Sequence, residues 1–177
     1  MKFKLSPKTT LEDLAVWISQ SLADEGIEVF LSGGSVVSLY TQNAYLSYDL
    51  DFVSFDSRTK IKKVMEGLGF AQDHSRHFVH QDTPFIVEFP GSAMLVGESL
   101  INELSELKNQ FGVLKLLTPT DCVKDRLAAF YHWNDSQGLD QAVAVANAHP
   151  VKIEEIEKWS TSEGMKNKFQ VFVSRLT

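Results

Sequence analysis

Two stretches decide the fold: Phe30-Leu31-Ser32-Gly33-Gly34-Ser35 and Ser47-Tyr48-Asp49-Leu50-Asp51-Phe52. The first carries an apolar strand, predicted over 27–31, into a glycine turn and then a short helix predicted over 36–40. Glycines let a backbone come close to a ligand. Backbone N–H groups opening a helix favour phosphate, and the Ser35 hydroxyl adds one donor. No GK[ST] follows, and the turn is not a GxGxxG fingerprint. The second stretch opens a strand predicted over 50–55. Asp49 and Asp51 are two residues apart, so strand alternation sends both carboxylates to one face. Such a pair repels unless a cation sits between its members. Mg²⁺ is a hard, oxygen-seeking cation of that kind, usually shared with phosphates. A third acid, Glu88, interrupts the apolar run Phe85-Ile86-Val87-Glu88-Phe89. An acid there is costly to bury unless it is paired or metal-bound. Three acids on neighbouring strands suit the two-metal clamp of phosphoryl transfer.

Working outward, residues 10–24 form a helix with Leu11, Leu14, Ala15, Ile18 and Leu22 on one face. Thr9 and Glu12 have capping-box spacing, and Gly26 stops the helix. An amphipathic helix is predicted over 57–68. Strands over 76–80 and 85–89 are joined by Gln81-Asp82-Thr83-Pro84, and a hairpin over 103–108 and 113–117 turns at 109–112. The text then becomes helical. Thr118-Pro119-Thr120-Asp121 is a helix start with proline at the first position, and further helices are predicted over 139–148, 153–159 and 164–176. The expected class is α+β: a mixed sheet flanked by helices over residues 1–117, with a small C-terminal helical region over 118–177 packed on it.

Composition narrows the functional classes. The 177 residues are 44% hydrophobic and 23% charged, which excludes wholesale disorder. Cys122 is the lone cysteine, so an internal disulfide framework, a cysteine zinc knuckle and a CxxC redox pair are excluded. The net charge of -6 argues against a surface that coats DNA. The lysine-bearing N-terminus has no apolar signal region, and no apolar run approaches the ~20 residues of a membrane span. The expectation is a cytoplasmic protein without a membrane partner.

The order strand, Gly-Gly-Ser, helix, Ser-x-Asp-x-Asp strand and later acid resembles the nucleotidyltransferase superfamily of DNA polymerase beta. Within it the chain is similar to minimal prokaryotic proteins related to the AbiEii-type toxins. The resemblance implies a nucleotidyltransferase fold and transfer of NMP from an NTP to a hydroxyl of an acceptor, whether RNA, protein or small molecule. It implies Asp49 and Asp51 on Mg²⁺ (or Mn²⁺), and Gly33, Gly34 and Ser35 on the β- and γ-phosphates. It further implies that Glu88 helps hold a second metal and activates the acceptor hydroxyl. The family's helix lysine corresponds to Arg126 or Lys124, either able to neutralise triphosphate charge; an arginine would use a bidentate fork. The arginine usual before the acid pair is replaced by Ala44-Tyr45-Leu46. An antitoxin protein is a further implied partner.

Other residues have plainer readings. Arg58, Lys60, Lys62 and Lys63 form a basic helix face that is either solvated or in touch with an RNA acceptor. His74, Arg76, His77 and His80 cluster near a strand, but alternation sends His77 and His80 to opposite faces, against zinc; Arg76 is a candidate for the cleft. Cys122, beside Lys124 and Arg126, is in a setting that can lower a thiol pKa, though packing is its expected role. Trp17 is read as core edge, Trp133 as a packing, interface or base-stacking aromatic, and Asp135 and Asp140 as helix-capping or helix-charging acids. Two readings compete with transfer: a catalytically silent nucleotidyltransferase-fold binding module, and a phosphoesterase using the same acids on water.

Overall fold

The computed structural model describes residues 3–75, 77–91, 95, 96 and 99–177, with the backbone alone at 95, 96 and 99. Arg76, expected at the start of a strand, lies outside the described residues.

The first helix, α1 (Leu11–Asp24), starts where Thr10 accepts a hydrogen bond from the Asp13 N–H. The cap is therefore Thr10 and not Thr9, whose hydroxyl instead accepts from the Ser6 N–H. Strand β1 (Val29–Ser32) leads into α2 (Gly33–Tyr40), then β2 (Asp49–Ser54) and α3 (Arg58–Gly67). Strands β3 (Ala71–Gln72), β4 (Phe78–Val79) and β5 (Ile86–Glu88) follow, then the short pair β6 (Leu95–Val96) and β7 (Ser99–Leu100). The hairpin β8 (Leu104–Asn109) and β9 (Gly112–Leu117) precedes four helices: α4 (Pro119–Trp133), α5 (Ser136–Ala148), α6 (Ile153–Ser162) and α7 (Lys166–Val173).

Among the described residues the main sheet runs β3-β4-β5-β2-β1-β9-β8. It is mixed: β1 pairs antiparallel with β2 and parallel with β9, while β2 pairs parallel with β5. This is the expected α+β architecture. Strands β3, β6 and β7 were not expected; each spans two residues, too short to show a period of two.

Val29, Phe30 and Leu31 are consecutive and all buried, so β1 is covered on both faces. The α1 stripe Leu14, Ile18 and Leu22 packs with Leu31, Leu114 and Leu116 in one core that also takes in Val123 and Leu127 of α4 and Phe169 and Phe172 of α7. Each such side chain contributes roughly 1.5–3 kcal/mol on burial, so the apolar stripe of α1 stabilises the sheet far more than its cap does. Tyr40 ties α2 to the end of β9 and the end of α5: its hydroxyl donates to the Leu117 carbonyl at 2.7 Å, and His149 Nε2 lies 2.8 Å from the Tyr40 carbonyl oxygen. Trp17 is stacked on Phe3 with ring centroids 4.4 Å apart.

Candidate active site

The glycines do not form a turn ahead of the helix; they are the first residues of α2 itself. Gly33 has φ +71°, a conformation that L side chains rarely adopt, and a Cβ there would overlap the Asp51 carboxylate. Glycine is thus required twice over, by backbone and by contact, and the acid sits directly against the opening of α2. The Ser32 hydroxyl fixes the same junction by donating to the Asp51 carbonyl at 3.2 Å. Ser35 departs from expectation. Its side chain is buried and its hydroxyl donates to the Ser32 carbonyl at 3.1 Å, so its proton is already used within the helix start.

On β2, Leu50 and Phe52 are fully buried while Asp49 and Asp51 alternate to the other side. Asp51 is paired in register with Glu88 on parallel β5, which puts both acids on one face of the sheet. Burial, and after it the Glu88 charge, pushes the Asp51 carboxyl up to about 6; Arg126 pulls the other way, while Asp49 and Asp125 add to the rise.

Arg126 on α4 lines the same cleft as Gly34, Asp49 and Asp51. Its Nε donates to Asp125 Oδ2 at 2.9 Å. Burial works against its charge, and Asp125 more than compensates, holding its pKa above the ordinary value. Lys124, the other candidate for the basic slot, is not brought to this cleft. It is buried on another side of α4, with Nζ 3.4 Å from Asp121 Oδ1 and 2.5 Å from Glu155 Oε1. Two positions along a helix turn a side chain by about 200°, which separates the two cations.

Sequence reasoning missed several residues. The cleft, of about 590 Å³, is completed by Tyr45, Leu46, Ser47 and Tyr48 on one side and Asp135, Gln137 and Gln141 of the α5 region on the other. Ser47 and Tyr48 belong to the Ser-x-Asp-x-Asp stretch and Asp135 was expected at a helix cap, whereas Tyr45, Leu46, Gln137 and Gln141 carry no motif. Loop 41–48 is held by Ser38, whose hydroxyl donates to the Tyr45 carbonyl at 2.6 Å and accepts from the Ser47 N–H at 2.8 Å. Asp135 caps α5, accepting from the Gln137 N–H at 3.0 Å, while Asp140 pairs with Arg175 at 2.7 Å.

Glu88 has a partner that spacing did not reveal. Its Oε1 lies 3.0 Å from His77 Nε2, and His77 Nδ1 lies 2.9 Å from the Ser75 hydroxyl, which donates to Asp73 Oδ1 at 2.6 Å. Together with Arg58, Ser75, His77 and Glu88 border a small cleft of about 120 Å³. Lys60 and Lys62 make surface pairs with Asp56 and Glu66. Burial pushes the Cys122 thiol far above its ordinary range, the opposite of an activated cysteine. Trp133 is 77% exposed, so it is not a packing residue within this chain.

The donor set fits a hard divalent cation. Asp49 and Asp51 are carboxylates on one face, and burial, followed by the Glu88 charge, holds the Asp51 carboxyl above its ordinary range. Among the described residues, no three His, Cys, Asp or Glu side chains are gathered closely enough to hold a metal as they stand. A pair of carboxylates completed by substrate phosphates is the usual arrangement for Mg²⁺.

Comparison with solved structures agrees with this architecture. A nucleotidyltransferase-like antigenic protein from Paracoccidioides brasiliensis superposes with a TM-score of 0.61 at 11% identity, over 98% of this chain and 96% of that one. The antibiotic-resistance factor ANT(2'')-Ia matches with a TM-score of 0.47 at 13% identity, over 89% of each chain. A tRNA-processing enzyme matches with 0.43 at 14% identity, over 93% of this chain and 50% of that one. No protein-family model and no curated protein matches the sequence. The chain has the nucleotidyltransferase fold. No helix among the described residues is long and apolar enough to cross a membrane.

Proposed function

We propose that this chain is a metal-dependent nucleotidyltransferase that moves NMP from an NTP to a hydroxyl of an acceptor. The observation that carries the reading is the seating of Asp51 against Gly33, beside Asp49, in a cleft that also holds Arg126. Its size lies within the ~300–1,000 Å³ of small-molecule sites. Residues 1–117 would supply the acids and the α2 N–H groups; residues 118–177 would supply the cation.

Asp49 and Asp51 would hold Mg²⁺ or Mn²⁺, which when bound neutralises phosphate charge and polarises the α-phosphorus. The backbone N–H groups opening α2 bind phosphate oxygens, in keeping with the helix-start preference for anions. Arg126 exchanges its Asp125 partner for the triphosphate. Glu88 accepts the proton of the acceptor hydroxyl, with His77 holding its other side. The acceptor oxygen bonds to the α-phosphorus, the bond to the β-phosphate bridge breaks, and pyrophosphate leaves. The AbiEii-type resemblance extends the proposal to a toxin-like role restrained by an antitoxin protein.

Incubation with each α-³²P-labelled NTP, Mg²⁺ and separate pools of RNA, protein and small metabolites tests this. Label should move to one pool with stoichiometric pyrophosphate. Release of orthophosphate alone would favour a phosphoesterase. A specific observation favours the silent-module reading: Glu88 and Arg126 are both engaged by neighbouring side chains. Binding of NTP with no labelled product in any pool would select it.

A further inference from the structure

We infer that Gln137 and Gln141 on α5 read the nucleobase of the bound NTP, an assignment that rests on the nucleotidyltransferase reading of the same cleft. Of the four charged side chains lining the cleft, Asp49, Asp51 and Arg126 lie with the Gly34 backbone, while Asp135 caps α5 beside Gln137. The triphosphate and its metal take the first three. What remains of the lining is mainly neutral: Tyr48 and Leu46, both about half exposed, and the two carboxamides. Tyr48 offers a ring face for stacking. A carboxamide offers one acceptor and two donors in one plane, the pattern that pairs with a base edge.

The placement of the two glutamines is built into the helix pair. Gln137 and Gln141 are four residues apart and so share one face of α5. A Cβ at Gly138 would lie 2.7 Å from the Arg126 carbonyl oxygen. The missing side chain lets α5 close onto the α4 backbone at the very residue that faces the triphosphate. Neither carboxamide has a protein partner among the described residues, so both are free to bond a ligand.

The test is calorimetric titration of Mg²⁺ complexes of ATP, GTP, CTP and UTP, and of tripolyphosphate as a probe without a base. The proteins are the full chain, Gln137→Ala/Gln141→Ala, Gln141→Glu and Asp49→Ala/Asp51→Ala. The alanine pair should weaken the preferred NTP about two- to tenfold per lost hydrogen bond. It should also flatten the ranking of the four bases, with tripolyphosphate affinity unchanged. Gln141→Glu, which removes the donors but keeps the shape, should reorder the ranking. An unchanged ranking in both variants, while the aspartate variant no longer binds, overturns this inference and leaves the nucleotidyltransferase reading standing. A parallel loss of tripolyphosphate affinity in the alanine pair also overturns it, because the residues would then act on phosphate or on folding. Absence of NTP binding by the unmodified chain overturns both.

Discussion

Asp51 and Glu88 face one another in register on the parallel strands β2 and β5, although 37 positions separate them in the chain. Asp51 is also pressed against Gly33 at the opening of α2, and Glu88 is backed by His77. Asp51 therefore lines the larger cleft with Asp49 and Arg126, while Glu88 borders a small cleft of its own. That division suits a reaction in which a nucleotide and an acceptor arrive from different directions.

The Asp51 carboxyl, raised to about 6 by burial and then by Glu88, makes stability depend on pH when metal is chelated. The native state holds this proton more tightly than the unfolded chain. Its contribution is fully present below about pH 4 and is lost as pH rises through about 6. Asp51→Asn should therefore stabilise the chelated protein at pH 7.5 by on the order of 2 kcal/mol, with the gain vanishing near pH 4. Urea melts in EDTA at the two pH values measure this; an equal effect at both would contradict it.

Arg126 and Lys124 should separate cleanly. Arg126→Ala should weaken Mg-NTP binding about tenfold or more, the scale of a lost charged hydrogen bond. Lys124→Ala should leave NTP affinity unchanged and lower stability by roughly 1–3 kcal/mol, because Asp121 loses its buried partner while Glu155, half exposed, is resolvated. Calorimetry and urea melts on both variants decide it; loss of binding in the lysine variant would contradict the placement.

Gly33→Ala forces a Cβ onto the Asp51 carboxylate at a positive φ. It should cost about 1–2 kcal/mol of stability from the backbone alone, and should abolish NTP binding by displacing the acid. Binding equal to that of the unmodified chain would show that Asp51 does not need this seat.

Cys122 should be inert to thiol reagents in the folded protein and react in step with unfolding, because it is fully buried and its thiolate is disfavoured by burial. Labelling with a disulfide reagent across a denaturant series reads this out; rapid native-state labelling would contradict it.

The sequence made the glycine and Asp49–Asp51 part of the cleft legible because its signals are local. Strand alternation puts Asp49 and Asp51 on one face whatever the rest of the chain does, and paired glycines mark a close approach. Glu88 was legible as an acid misplaced in an apolar run, but its pairing partner was not. His77 reaches it through the antiparallel packing of β4 on β5, where Phe78 pairs with Val87, a contact between strands of two and three residues. Cys122 is the packed thiol expected from the sequence, and burial outweighs the nearby cations that could have lowered its pKa. Gln137 and Gln141 were invisible because what distinguishes them is the close packing that Gly138 allows between α4 and α5, a tertiary contact with no periodic signature.

If Asp49 and Asp51 hold a metal-bound nucleoside triphosphate, calorimetric titration of the four Mg-NTPs into the unmodified chain and into Asp49→Ala/Asp51→Ala will separate the two proteins. Saturable binding of at least one NTP, lost in the variant while its circular dichroism and melting curve show a folded protein, is the expected result. Binding that survives in the folded variant would contradict the account, and so would no binding to the unmodified chain at millimolar NTP.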